Sequence, residues 1–266
     1  MSAAVVHSGP MTEELGVELP WDNLAVHLAA EGMTLSRDVA PRRFTGGFGN
    51  LNFLLEVDGQ PVVLRRPPPG PLPPGANDMA REYRVLSGLS GALPIVPGAL
   101  HFCGDEAVFE APFILIEYRP GLVIRETIPE FARSRARGIS EMLVQTLAKV
   151  HEVDADAVDL GDLGRPEGFL ARTVEGWFKR AHVATDGEPP AAVATLADWL
   201  RGNLVPESRI SLIHNDYKLN NIVLDPDEVR RPVAVLDWDM CTRGDPLFDL
   251  FNMAAQLFDP TQQFDD

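Results

Sequence analysis

The spacing of apolar residues changes character near residue 118, and this limits the fold more than any single motif. Before that point the chain runs through short apolar pieces set apart by turn signals: "RRFTGG", "NLNFLLEV", Asp58-Gly59, "PVVLRR" and, at 113–118, "FILIEY". An Asp-Gly pair between two apolar runs is a hairpin signal, because both central residues of such a turn take positive φ. After residue 118 the period becomes helical. Ile139, Met142, Leu143, Thr146, Leu147 and Val150 recur three and four residues apart, as do apolar positions near 168–180 and 190–201. Only "ISLI", "NIVL" and "VAVL" interrupt them as short strands. The pattern predicts an α+β chain in two lobes, the first an antiparallel sheet with helices and the second mainly helical. Residues 1–18 read as a mobile tail, 19–118 as the first lobe and 119–266 as the second.

Within the first lobe, "LPWDNLAVHLAAEG" (19–32) reads as an amphipathic helix with Leu24 and Leu28 on one face and Gly32 as its stop. "PPPGPLPPG" (67–75) must be an exposed loop. A helix follows over about 77–89, ending at Gly88 or Gly91. No internal repeat is found.

Composition narrows the function classes. An apolar share of 45% and a charged share of 23% over 266 residues are those of a soluble globular protein. With 23 basic against 39 acidic residues the net charge is −16, which argues against nucleic acid as the main partner. The acidity suits a cationic substrate or simple solubility alike. Cys103 and Cys241 stand in no metal-ligand spacing and imply no disulfide framework, so a reducing cytoplasm is expected. No signal peptide and no membrane-length apolar run is present, so no membrane partner is expected.

The run "HNDYKLNN" (214–221) carries His214, Asp216 and Asn221 in the spacing H-x-D-x-x-x-x-N, that of a kinase catalytic loop. Phosphoryl transfer needs a carboxylate to orient and deprotonate the attacking hydroxyl, which Asp216 supplies. It also needs an oxygen ligand for Mg²⁺, which Asn221 supplies. Lys218 can put positive charge on the phosphoryl group. Alone, the run is equally an ordinary polar turn. Sixteen residues on, "VAVLDWDMCTRGDP" reads as a buried strand ending in Asp237, placed to hold the metal with Asn221. Asp239 better fits a turn or cap.

Three further pieces suit ATP. "GGFGN" (46–50), with Gly47, Gly49 and Asn50, lets backbone N–H groups approach phosphate, although the full G-x-G-x-x-G is absent and no P-loop pattern exists. "VVLRR" puts Arg65 where a phosphate-binding Lys would stand, with Val63 on the same face for adenine. Glu82 in the following helix can pair with Arg65; otherwise both belong to a surface ion pair of little consequence.

These residues resemble the aminoglycoside phosphotransferase and choline kinase-like family of small-molecule kinases. The resemblance runs from about residue 24 onward and rests on "HNDYKLNN", "LDWD" and "GDPLFDL". "LAKVHEVD" and "GDLGRPEGFL" look like the subgroup of kinase domains fused to acyl-CoA dehydrogenases. The resemblance implies a protein-kinase-like fold with ATP between the lobes. It makes Glu117 and Tyr118 the hinge beside adenine, and Asp245 and Asp249 braces of the catalytic region. The acceptor would be a small-molecule hydroxyl, on a hydroxyacyl-CoA-like metabolite or an aminoglycoside-like compound.

Three departures stand out: Asn215 replaces the usual Gly of H-G-D, Gly49 replaces a hydroxyl residue, and the sequence stops soon after "GDPLFDLFNMAAQLFD". The last implies a shortened second lobe, with Leu250, Met253 and Leu257 short of cover and open to a homodimer. A catalytically impaired pseudokinase is the rival reading. A metal hydrolase built on His214 and His151 fits poorly, since neither has ligand spacing.

Overall fold

Two buried leucines one turn apart, Leu24 and Leu28, fix the first helix, α1 (Trp21–Ala30), against the sheet. Gly32 follows it at φ +80°. The computed structural model describes residues 19–44, 49–72, 75–125 and 129–257. The expected tail thus lies outside the described residues. Strand β1 (Arg42–Arg43) is shorter than "RRFTGG" suggests, and the stretch after Phe44 is again outside them. β2 (Leu51–Val57) and β3 (Gln60–Arg66) form the hairpin, turned by Asp58 at φ +52° and Gly59 at φ +72°. Both turn residues lie in the left-handed region that the sequence pair permits.

Helix α2 (Met79–Ser90) starts at Asp78, whose side chain accepts the Arg81 amide at 3.0 Å, and passes through Gly88 to end before Gly91. The sequence pattern did not foresee β4 (Ala99–Cys103) or the short α3 (Glu106–Phe109), which precede β5 (Phe113–Glu117). The five strands form one antiparallel sheet in the order β1-β2-β3-β5-β4. α1 and α3 cover one face, where Trp21 meets Phe53 and Phe109 at 5.3 and 4.9 Å between rings. α2 lies against β4 and β5, and its Val85, Leu86 and Leu89 join the apolar cluster that continues into the helical part.

That part comprises β6 (Leu122–Val123), α4 (Glu130–Arg133), α5 (Ala136–His151), α6 (Phe169–Ala184), α7 (Ala191–Gly202), β7 (Ser211–Ile213), β8 (Ile222–Leu224), β9 (Pro232–Val235), β10 (Thr242–Gly244) and α8 (Pro246–Leu257). β6-β8-β9 and β7-β10 form two small antiparallel sheets at the base of the interlobe cleft. α5 buries the stripe read from the sequence, Ile139 through Val150, against β7 and α8. Each leucine so removed from water contributes about 1.5–3 kcal/mol. The whole is the α+β, kinase-like architecture expected.

Two local expectations need correction. The strand before Asp237 ends at Val235, and Asp237 sits in the loop beyond it at φ +69°. On α8, Met253 is buried and Leu250 packs on the core, because that face meets α5 and β7; Leu247 and Phe251 are exposed instead. The Leu257 side chain lies outside the described residues.

Candidate active site

β7 delivers the loop 214–221, which closes through a 3-10 turn (Leu219–Asn221) into β8. Asp249 on α8, fully buried, holds the start of this loop. Its carboxylate accepts the amides of His214 at 2.7 Å and Asn215 at 2.6 Å, and meets Nε2 of His151 at 3.0 Å. Asn215 stands at φ +69°, a conformation open to Gly and tolerated by Asn among few others. Its replacement of the usual Gly thus keeps the required backbone.

His214 is fully buried, with Nε2 2.9 Å from the Leu236 carbonyl and Nδ1 accepting the Asp216 amide at 3.3 Å. A carbonyl only accepts and an amide N–H only donates, so these partners select the Nε2–H tautomer. His214 therefore ties the loop to the segment before Asp237. Trp238 packs on it at 4.6 Å between rings.

Asp216 receives two neighbours. Nζ of Lys218 lies 2.8 Å from its Oδ2 and 2.9 Å from its Oδ1. Nδ2 of Asn221 donates to its carbonyl at 3.0 Å and to its carboxylate at 3.2 Å. With its amide nitrogen so engaged, Asn221 has its side-chain oxygen for a cation.

Across the cleft, Nε of Arg65 donates to Glu82 at 2.8 Å while its Nη2 meets Asp237 and, at 3.9 Å, Asp239. Arg65 is 8% exposed and Glu82 1%, which excludes the surface-pair reading. Burial works against the guanidinium charge, but Glu82, Asp237 and Asp239 outweigh it and raise its pKa. Burial pushes Glu82 up to about 7 against the pull of Arg65. For Asp237 burial acts upward, yet Arg65 holds the carboxyl below the usual range; for Asp239 burial and then Asp237 push it up. So Asp239, which suited a mere turn residue, also faces Arg65.

A cavity of about 460 Å³ opens between the lobes, lined by Val63, Arg65, Glu82, Glu117, Tyr118, Asn221 and Asp237 among others. Seven residues expected from sequence to serve ATP or metal thus share one cleft. The Glu117 amide already donates to the Gly98 carbonyl at 2.9 Å, and its carboxylate accepts the Gly98 amide at 3.1 Å. The Glu117 N–H is therefore engaged before any adenine arrives. Asn50 lies beside Arg65: turned with its oxygen toward the guanidinium, it accepts at 2.8 Å. Neither Gly49 nor Asn50 lines the cavity, and Gly47 lies outside the described residues. Arg42, Phe44, Arg119 and Arg125 line it without having been singled out in the sequence.

A second cavity, about 530 Å³, lies between α6 and the residues that follow Asp237. Asn215 and Met240 border it on one side, and Arg165, Arg172, Trp177 and Arg180 on the other. Arg180 stacks on Trp177 at 4.4 Å, and Arg172 donates to the carbonyls of Arg165 and Glu167. Among the described residues none of these three arginines pairs with a carboxylate. Their positions follow no period that marks them together.

No group of three or more His, Cys, Asp or Glu side chains among the described residues is placed to hold a metal. Asp237 and Asn221 nevertheless offer the hard oxygen donors that Mg²⁺ takes when water and phosphates complete its shell. The residues present fit that ion.

A profile of the phosphotransferase enzyme family matches residues 41–265. The chain belongs to this family. It is 36% identical over 222 residues to acyl-CoA dehydrogenase family member 11 of Gallus gallus, covering 83% of this chain and 28% of that protein. With the Homo sapiens protein of the same description it shares 33% over 236 residues, 88% of this chain and 30% of that one. The chain thus spans less than a third of the length of these relatives. A solved structure from Ralstonia eutropha JMP134, provisionally described as an aminoglycoside phosphotransferase, superposes with TM-score 0.72 at 29% identity, over 90% of this chain and 70% of the other. The fold also matches that of a thermostable mutant of aminoglycoside phosphotransferase APH(4)-Ia, bound to ADP and hygromycin B, with TM-score 0.61 at 20% identity over 85% of this chain and 74% of the other. No helix among the described residues is long and apolar enough to cross a membrane.

Proposed function

We propose that this phosphotransferase moves the terminal phosphoryl group of ATP, with Mg²⁺, to a hydroxyl of a small molecule. One observation carries the reading: Asp216, which itself lines neither cavity, has a neighbour on each. Asn221, hydrogen-bonded to it, lines the first, and Asn215, adjacent in the chain, borders the second. A hydroxyl entering from the second cavity would meet Asp216 with the nucleotide on the far side. That is the arrangement in-line transfer needs.

In this reading Asp216 orients the hydroxyl and takes its proton. Lys218, paired to Asp216, offers positive charge to the phosphoryl oxygens. Asn221 and Asp237 would hold Mg²⁺, which would neutralise phosphate charge. Arg65, steadied by Glu82, would face the phosphates, and Val63 the adenine. Glu117 and Tyr118 would form the hinge, and Gly49 and Asn50 would serve the phosphates from the loop before β2. We place the division between the lobes near residue 118. Two buried free cysteines suit a reducing cytoplasm.

The acceptor side carries three arginines that, among the described residues, pair with no carboxylate, although the chain as a whole is strongly acidic. This supports an anionic hydroxylated metabolite, of the hydroxyacyl-CoA kind, over a polycationic aminoglycoside. The test is Mg²⁺-dependent ATP consumption by wild type and Asp216→Asn across hydroxyacyl-CoA thioesters and kanamycin-like acceptors. Wild-type turnover with the thioesters, lost in Asp216→Asn, is expected. Equal turnover in both proteins would sink the reading, and turnover with kanamycin alone would reverse the acceptor.

The contact of Arg65 with Asp237 favours a second reading, a nucleotide-binding module without turnover, because an internal cation already sits on the metal carboxylate. Stabilisation by Mg·ATP with no product would select it.

A further inference from the structure

The first turn of α2 carries two adjacent charged residues with separate partners. Glu82 takes Arg65, as described. Arg81 reaches the other way, donating to the Asp239 carbonyl at 2.6 Å and the Cys241 carbonyl at 2.5 Å. Among the described residues it pairs with no carboxylate, and its charge answers two backbone oxygens of the turn that follows Asp237. That turn is closed by the Cys241 amide on the Trp238 carbonyl at 3.0 Å, with Trp238 and Cys241 fully buried. Asp78 fixes the Arg81 amide, so the origin of the side chain is itself held.

We infer that Arg81 is a positioning residue for the reaction, setting the place of Asp237 relative to Arg65 by tying α2 to the turn 239–241. The contacts close a ring: Arg65 to Glu82, Glu82 along α2 to Arg81, Arg81 to the turn, the turn back to Asp237, and Asp237 to Arg65. The inference rests on the proposed roles of Arg65 and Asp237. Once Arg65 turns from Asp237 toward a phosphate, the Arg81 bonds are, among the described residues, the remaining hydrogen-bonded link between the head of α2 and this loop. A planar guanidinium with forked donors can serve two carbonyls at once, whereas an ammonium offers a single point. Sub-ångström displacement of a phosphate-side group is costly to transfer, so the tie bears on rate more than on folding.

The experiment compares wild type, Arg81→Gln, Arg81→Lys and Arg84→Gln. Arg84 lies on the exposed face of the same helix, paired with Asp162, outside the cleft. Amide exchange over 237–243 is measured in ligand-free protein, and Mg·ATP binding by calorimetry with and without EDTA. For Arg81→Gln, exchange over this segment should quicken about tenfold, and Mg·ATP affinity should fall roughly tenfold while metal-free ATP affinity holds within about twofold. Arg81→Lys should fall between, and Arg84→Gln should match wild type. Unchanged exchange in Arg81→Gln, or an equal rise in Arg84→Gln, overturns the tie. If Arg81→Gln does not fold, Arg81→Lys decides by the same two readouts. A wild type that ignores Mg·ATP refutes the proposed function, and with it the catalytic sense of the inference, while the exchange data still judge the tie itself.

Discussion

Nε of Arg65 on β3 donates to the Glu82 carboxylate on α2 at 2.8 Å, and both side chains are withdrawn from water. The cost of desolvating each ion is met only while the other is present. At about pH 8, above the Glu82 value of about 7, Glu82→Gln should therefore destabilise the fold by about 3 kcal/mol, the low end for a broken buried pair, because Asp237 still faces the guanidinium. Urea unfolding of the two proteins, at constant m-value, measures it.

Gly88 sits inside α2, where replacing Gly by Ala ordinarily stabilises a helix by about 1 kcal/mol. Here a Cβ would lie 2.5 Å from the Val158 carbonyl and 3.3 Å from Leu160. Backbone on the far side cannot yield cheaply, so overpacking at about 1–3 kcal/mol outweighs the propensity gain. Gly88→Ala should lower the melting temperature, and a rise would show that the 158–160 segment moves freely.

Asp249→Asn replaces one of two accepting oxygens by an NH₂ that faces an amide donor or the His151 ring. A buried donor left unanswered costs about 1–3 kcal/mol. The loop 214–216 should lose its seat, so ATP consumption should fall much more than Mg·ATP affinity. Steady-state kinetics beside calorimetry separate the two effects, and an unchanged rate would refute the assignment of Asp249 as the anchor of this loop.

Asp245 lies at the head of α8. Burial acts to raise its pKa, but hydrogen bonds from the Ser208 amide and hydroxyl, both 2.7 Å, and the Leu247 amide at 2.9 Å bring it below the usual carboxylate value. A folded-state pKa beneath the unfolded one gives stability that is complete above the unfolded value, about 3.9, and lost as pH falls through the folded value. Melting temperatures between about pH 2.5 and 6 should therefore drop less steeply at the acid end in Asp245→Asn than in wild type. Parallel curves would contradict this.

Much of the cleft was legible because its parts come as local patterns. Asp216, Lys218 and Asn221 share one loop, Arg65 follows an apolar run near the end of a strand, and Glu82 lies on the buried face of the next helix. The second cavity was not legible. Arg165, Arg172 and Arg180 share a cavity with Asn215 and Met240 only through tertiary packing, in which Phe169 of α6 meets Phe248 of α8, and no spacing announces it. β10 escaped notice because three residues, Thr242, Arg243 and Gly244, have no apolar alternation to show. Asn215 was readable as a departure from H-G-D, yet only its φ of +69° explains why Asn can stand there.

The anchoring of His214 by Asp249 also has a consequence in time. The two residues lie 35 positions apart, with Asp249 the later. A ribosome adding about 5–20 residues per second needs roughly 2–7 s to reach it after His214. Through that interval the loop that carries Asp216 exists with two backbone amides unanswered. The proposed catalytic loop thus cannot be completed until the chain has been made through Asp249, whatever the age of the sheet above it.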